Sequence, residues 1–80
     1  MQSEKLLPYG KITSITELGH LIREHRRNSN ITQVDLAAMC GVGPHFISEL
    51  EKGKTTVQLD KVLQVLTYLG LEMHIETRGW

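Results

Sequence analysis

The sequence predicts a mainly all-α domain: four to five short helices, closed by one C-terminal β-strand. Three observations predict it. Apolar residues recur at three- and four-residue spacing in separate stretches between Ser14 and Gly70. A Gly41-Val42-Gly43-Pro44 break stops one such stretch and restarts the chain at once. From Leu71 onward the period drops to two. The chain therefore divides into an N-terminal arm at 1–13, a helical domain at 14–70, and a dimerising strand with its tail at 71–80.

Residues Met1 to Thr13 hold Leu6, Leu7 and Pro8 without a clear period and read as an extended arm. Ser14 and Glu17 then form a capping box, each supplying a partner for an otherwise free backbone donor. Ile15, Leu18, Leu21 and Ile22 follow at helical spacing, and His25, Arg26 and Arg27 fall in the last turn, where cations favour the helix dipole. Asn28-Ser29-Asn30 ends that helix. Thr32 and Asp35 open the second helix, whose stripe is Leu36, Ala37 and Cys40, and Gly41 suits a left-handed cap.

Gly43 and Pro44 fit the cap and first position of a third helix, because proline lacks only an N–H that would go unpaired there. Its inner side is Phe46, Ile47 and Leu50, and Gly53 ends it. A fourth helix covers about 58–69, with Leu59, Val62, Leu63, Leu66 and Leu69 as its stripe and Gly70 as its stop. In the closing segment Leu71, Met73 and Ile75 alternate with Glu72, His74 and Glu76, as in a strand with one buried face.

Size and charge bound the function. A chain of 80 residues buries only about 60% of its unfolded surface, so a second subunit is a natural source of added stability. No apolar run approaches the ~20 residues of a membrane span, and the N-terminus does not read as a signal peptide. With one cysteine no internal disulfide is possible, which suits a cytoplasmic protein; Cys40 reads as a small buried apolar residue. His20, His25, His45 and His74 show no paired ligand spacing, and Ser29 and Ser48 have no base beside them. The expectation is therefore a non-enzyme without metal or cofactor. The formal net charge is zero and the pI about 6.9, so any hold on nucleic acid must come from a local arrangement of charge.

Residues 33–52 make that arrangement legible. Ala37 lies mid-helix, Gly41 at the corner, and Ile47 and Leu50 on the inner side of the next helix. Two short helices crossing steeply need a small residue at their closest approach, a glycine at the turn, and branched side chains to fix the angle. This is a helix-turn-helix arrangement. His45 and Ser48 then face outward, while Arg26, Arg27, Lys52 and Lys54 flank the outer helix and are placed to meet phosphate. Glu24, Glu49 and Glu51 dilute that field.

From Ser14 to about Glu76 the chain resembles the phage-repressor-like (Xre) family. "LGHLIREHRRNSNITQVDLAAMCGV" is similar to its first two helices and "FISELEKGK" to its third. "GVGPHFISELEKGKTTVQLDKVLQVLTYLGLEMHIE" most resembles the HipB-like antitoxins within it. The resemblance implies a lambda-repressor-like domain in a homodimer that binds palindromic operator DNA, represses its own operon, and holds a HipA-like kinase toxin. By the same resemblance Thr32 and Gln33 open the helix that touches the DNA backbone, and Gly43, Pro44, His45 and Ser48 face base edges and phosphates. Arg27, Lys52 and Lys54 complete the DNA-binding set, and Glu51 is expected to pair with a basic residue of the first helix. Many relatives carry Arg, Lys or Gln where this chain has Gly43 and Pro44, so specificity is expected to lean on DNA shape and half-site spacing.

A lone strand edge is a liability, and pairing with the same strand of a second copy resolves it. The expected dimer contacts are Val65, Tyr68, Leu69, Leu71, Met73 and Ile75. Trp80, the only tryptophan and the last residue given, is expected to anchor on the toxin. Two other readings share these residues: a stand-alone Xre-type regulator without a toxin, and a protein-binding adaptor that does not touch DNA.

Overall fold

A computed structural model of the chain describes residues 9–79. Those residues form four helices: α1 (Ile15–Asn28), α2 (Gln33–Cys40), α3 (Pro44–Glu51) and α4 (Leu59–Tyr68). The start signals act as expected, with one difference. The Ser14 hydroxyl accepts from the Glu17 N–H at 3.1 Å, and the Thr32 hydroxyl accepts from the Asp35 N–H at 3.0 Å. The Glu17 carboxylate, however, turns chiefly to Thr13, accepting its backbone N–H at 2.6 Å and its hydroxyl at 2.8 Å. The arm is thus pinned one residue before the cap.

Each helix ends through a left-handed residue: Asn30, Gly41, Gly53 and Gly70 respectively. At Gly41 (φ 71°) the turn lets the Val42 N–H close on the Ala37 carbonyl at 3.0 Å. A Cβ there would be strained, which is why glycine stands at this corner. Pro44 then occupies the first turn of α3 behind an extended Gly43 (φ −78°, ψ 152°). The Gly-Val-Gly-Pro break is a corner and a restart, as its residues dictate.

The core gathers one side of every helix: Leu21 and Ile22 from α1, Leu36, Ala37 and Cys40 from α2, Ile47 and Leu50 from α3, and Val62, Val65 and Leu66 from α4, with Leu69 just beyond. Full burial of such side chains is worth about 1.5–3 kcal/mol each. Burial raises the pKa of the Cys40 thiol, which leaves it an apolar filler. Ala37 is buried as expected, and a second close approach, between α1 and α3, is at Gly19. A Cβ on Gly19 would stand 2.2 Å from the Leu50 carbonyl oxygen, so α1 crosses the end of α3 with no room for a side chain.

The fourth helix is rotated from the expected stripe. Leu59 and Leu63 are exposed, while Val65 is fully buried. Both Val62-Val65-Leu66-Leu69 and Leu59-Leu63-Leu66 satisfy helical spacing, and packing against α2 selects the first. Val65 and Leu69, expected at the dimer interface, are buried in the chain's own core. Beyond Gly70 the segment 71–79 has no regular element in the single chain. Leu71 packs on the core, Met73 is half-exposed and Ile75 is 93% exposed. A ladder requires a partner strand, so pairing can arise only on assembly.

Candidate nucleic-acid interface

At 3.6 residues per turn, the two turns of α3 divide cleanly into two sides. Ile47, Leu50 and Glu51 point inward and are buried. His45, Ser48, Glu49 and Lys52 occupy the opposite side. Phe46 sits at the flank, half-buried, with the Lys61 ammonium 5.7 Å from its ring centroid.

The inward side holds a buried ionic lock. Arg26 donates from Nε to Glu51 Oε2 at 2.6 Å and from Nη2 to Oε1 at 3.0 Å, the two-pronged geometry that makes such pairs strong. Its remaining arm, Nη1, donates to the Ile31 carbonyl at 2.8 Å, and Gln33 Nε2 donates to Glu51 Oε1 at 3.0 Å. One guanidinium thus joins α1, the start of α2 and the end of α3. The expected partner for Glu51 on the first helix is found. Arg26 itself is withdrawn from the phosphate-facing set, because its side chain is only 10% exposed and all its arms are bonded inward.

The neighbouring residue of α1 makes a second strut. His25 Nε2 donates to the Leu69 carbonyl at 2.9 Å, which leaves Nδ1 to accept from the Tyr9 hydroxyl at 2.7 Å. His25 was expected only as a cation near a helix end. It instead ties the arm to the last turn of α4, a long-range contact for which the sequence carries no local signal.

Toward solvent, most of the residues expected to meet DNA are exposed, Arg27 on α1 among them. Gly43, Pro44 and His45 are exposed at the start of α3, Ser48 is half-buried one turn later, and Lys52 is exposed at its end. Thr32 and Gln33 begin α2 beside it, with Thr32 exposed and Gln33 half-buried in its bond to Glu51. Arg23, Gln33, Ser48, Glu51 and Lys52 line a shallow depression between α1, α2 and α3. Arg23 is an addition: it lies one turn before Arg27 on α1, and that spacing was the available signal. Lys54 and His45 are both engaged within the chain. His45 Nε2 lies 2.9 Å from Glu49 Oε2, and Lys54 Nζ lies 3.1 Å from both Glu49 oxygens. The Lys54 ammonium, and to a lesser degree His45, hold the Glu49 carboxyl below its ordinary pKa. Among the described residues, no three His, Cys, Asp or Glu side chains gather as a metal site requires, and no helix is long and apolar enough to cross a membrane. Trp80 lies outside the described residues.

Against this geometry, a helix-turn-helix domain model matches residues 17–78. The chain belongs to the helix-turn-helix domain family. Within it, the chain is 44% identical over 69 residues to an uncharacterised HTH-type transcriptional regulator of Sinorhizobium fredii, covering 86% of this chain and 91% of that one. A second HTH-type transcriptional regulator, from Methanothermobacter thermautotrophicus, is 43% identical over 56 residues, covering 70% and 80% respectively. Among solved structures, the HipB chain of a HipA–HipB–O2–O3 complex superposes with a TM-score of 0.80 at 27% identity, over 88% of this chain and 99% of that one. HipB in complex with an O4 20mer gives the same figures. This helix-turn-helix chain is accordingly a transcriptional regulator of the Xre-like, HipB type rather than an enzyme.

Proposed function

We propose that the chain is an operator-binding repressor that works as a homodimer, inserts the outer side of α3 into the DNA major groove, and serves in the cytoplasm as the antitoxin partner of a HipA-like kinase. The observation that carries the DNA reading is the division of α3. Its inner side is locked to α1 by Glu51 and Arg26, while His45, Ser48, Glu49 and Lys52 stand on the other side. Arg23 and Lys52 share a depression with Ser48, and exposed Arg27, Thr32 and Lys54, with Gln33, are further proposed phosphate contacts, so a chain of zero net charge still offers local attraction. Gly43 contributes a backbone N–H and Pro44 an apolar surface, fit for a phosphate and a thymine methyl respectively.

Dimerisation through residues 71–76 is the companion reading. Tyr68, Met73 and Ile75 are exposed apolar side chains at the end of the fold, and Leu71 is half-covered beside them. Pairing two such segments would cover them and set two copies of α3 about one DNA turn, or ~34 Å, apart. Likeness to HipB bound to operator fragments and to HipA supports both partners, and Trp80 is the proposed anchor on the toxin. The test is a mobility shift of the full chain with the palindrome upstream of its own gene, at low and moderate salt, followed by co-purification with the product of any neighbouring kinase gene. A retarded band that weakens steeply with salt supports repression; an unshifted palindrome refutes it. Co-purification that survives in wild type and fails on deletion of Trp80 supports the anchor. The names of the two curated relatives favour a second reading, a stand-alone regulator with the same DNA-binding half, which applies if no kinase co-purifies.

A further inference from the structure

Resting on the reading that α3 enters the major groove, we propose that the Glu49 carboxylate reads the amino group of a cytosine there, with His45 and Lys54 as its positioning residues. Three observations carry this. The buried side of α3 is centred on Ile47, Leu50 and Glu51, so the helical repeat puts the centre of the opposite side between His45 and Glu49. A carboxylate therefore occupies the middle of the surface that would face the bases. The Glu49 carboxylate, on a side chain 29% exposed, has two partners within the chain: the Lys54 ammonium donates to both oxygens at 3.1 Å, and His45 Nε2 lies 2.9 Å from Oε2. Finally, no Arg, Lys, Asn or Gln precedes it on α3: Gly43 and Pro44 stand at the start, and His45 is already engaged with Glu49.

An anion carried into a phosphate-lined groove weakens binding to every sequence unless it meets a donor. The base edges there offer amino donors on cytosine and adenine. A carboxylate, which only accepts, suits the cytosine N4 amino group, whereas adenine sets an acceptor nitrogen beside its amino group. Glu49 would thus act mainly by exclusion: pairs without a donor at this position are rejected, and the cytosine pair is tolerated. His45 and Lys54 orient the carboxylate, and the Lys54 ammonium offsets part of its repulsion from phosphate. This reverses the sequence-based expectation that Glu49 merely dilutes a positive field.

The experiment is a selection from a randomised duplex library by wild type, Glu49→Ala and Glu49→Gln, followed by affinity measurement at every half-site position with all four base pairs. Wild type is expected to prefer cytosine at one position by on the order of tenfold or more. Glu49→Ala should flatten that position alone and bind unrelated duplexes more tightly. Glu49→Gln, which can both donate and accept, should move the preference toward adenine. Equal melting temperatures of the three proteins show that the fold is intact. If both variants keep the wild-type preferences and change only overall affinity, Glu49 is a bystander and this inference fails alone. If wild type enriches no sequence at all, the DNA reading fails and takes this inference with it.

Discussion

Replacing Glu51 by alanine strips the acceptor from three donors at once: Nε and Nη2 of Arg26, and Nε2 of Gln33. The pair is dry, with side-chain exposures of 10% for Arg26 and 2% for Glu51, so water cannot readily replace the lost carboxylate. Removing one partner of such a pair costs about 3–5 kcal/mol, because a buried charge is left with only the Ile31 carbonyl as partner. A chain of 80 residues has a total stability of roughly 4–12 kcal/mol, at 0.05–0.15 kcal/mol per residue. The substitution therefore takes a large share of it, and the melting temperature should fall by more than about 10 °C, given roughly 4–8 °C per kcal/mol in a domain of this size. Urea denaturation of wild type, Glu51→Ala, Arg26→Ala and the double variant completes the cycle. The double variant should be less damaged than the two single losses combined, with a coupling within about 0.5–3 kcal/mol. A loss below about 1 kcal/mol for Glu51→Ala, or strict additivity in the cycle, would refute the claim that this pair fixes α3 against α1.

Gly19→Ala should be disabling for a different reason, since its new methyl meets a backbone carbonyl 2.2 Å away; the cost is near the upper end of the ~1–3 kcal/mol typical of overpacking, read by the same denaturation curves. Thr13 holds the Glu17 carboxyl below the usual carboxylate range by its backbone N–H first and its hydroxyl second. A depressed folded value means the contribution is present above the unfolded value of about 4.3 and fades as pH falls through the lower folded value. Glu17→Gln should thus melt below wild type at neutral pH and converge with it in acid. Arg23→Ala and Lys52→Ala should each lower the slope of log affinity against log salt by about one, with base preferences unchanged. Ending the chain after Gly70 should yield a monomer by analytical ultracentrifugation while leaving the four helices in place.

Much of the fold was readable where local chemistry decides the backbone. Ser14, Thr32 and Gly41 each govern a few residues around them, and Pro44 fits only the first turn of a helix, so starts and corners were visible before any tertiary contact. Choices between equivalent patterns were not. Leucines and valines of α4 offer two overlapping stripes, and only the neighbour it packs on decides between Val65 and Leu63. Close approaches were equally hidden: Gly19 looks like any helix glycine until α3 is set across it. Of the candidate interface, the exposed start of α3 was legible from the turn, and the Glu51 pairing from the motif's ending. The role of Arg26 was not, because an arginine in a last turn reads the same whether it faces water or a buried carboxylate. His25 is the same case, its partner lying 44 residues away.

The two-sidedness of α3 bears on how such a protein changes its target. His45, Ser48, Glu49 and the capping Lys52 take no part in the buried core, and the contacts that keep the helix seated come from Ile47, Leu50 and Glu51, with Phe46 at the flank. On the proposed reading, substitutions at the former set change operator preference while the scaffold's melting behaviour stays nearly constant. Recognition and foldedness are thereby free to drift at separate rates within a helix of eight residues.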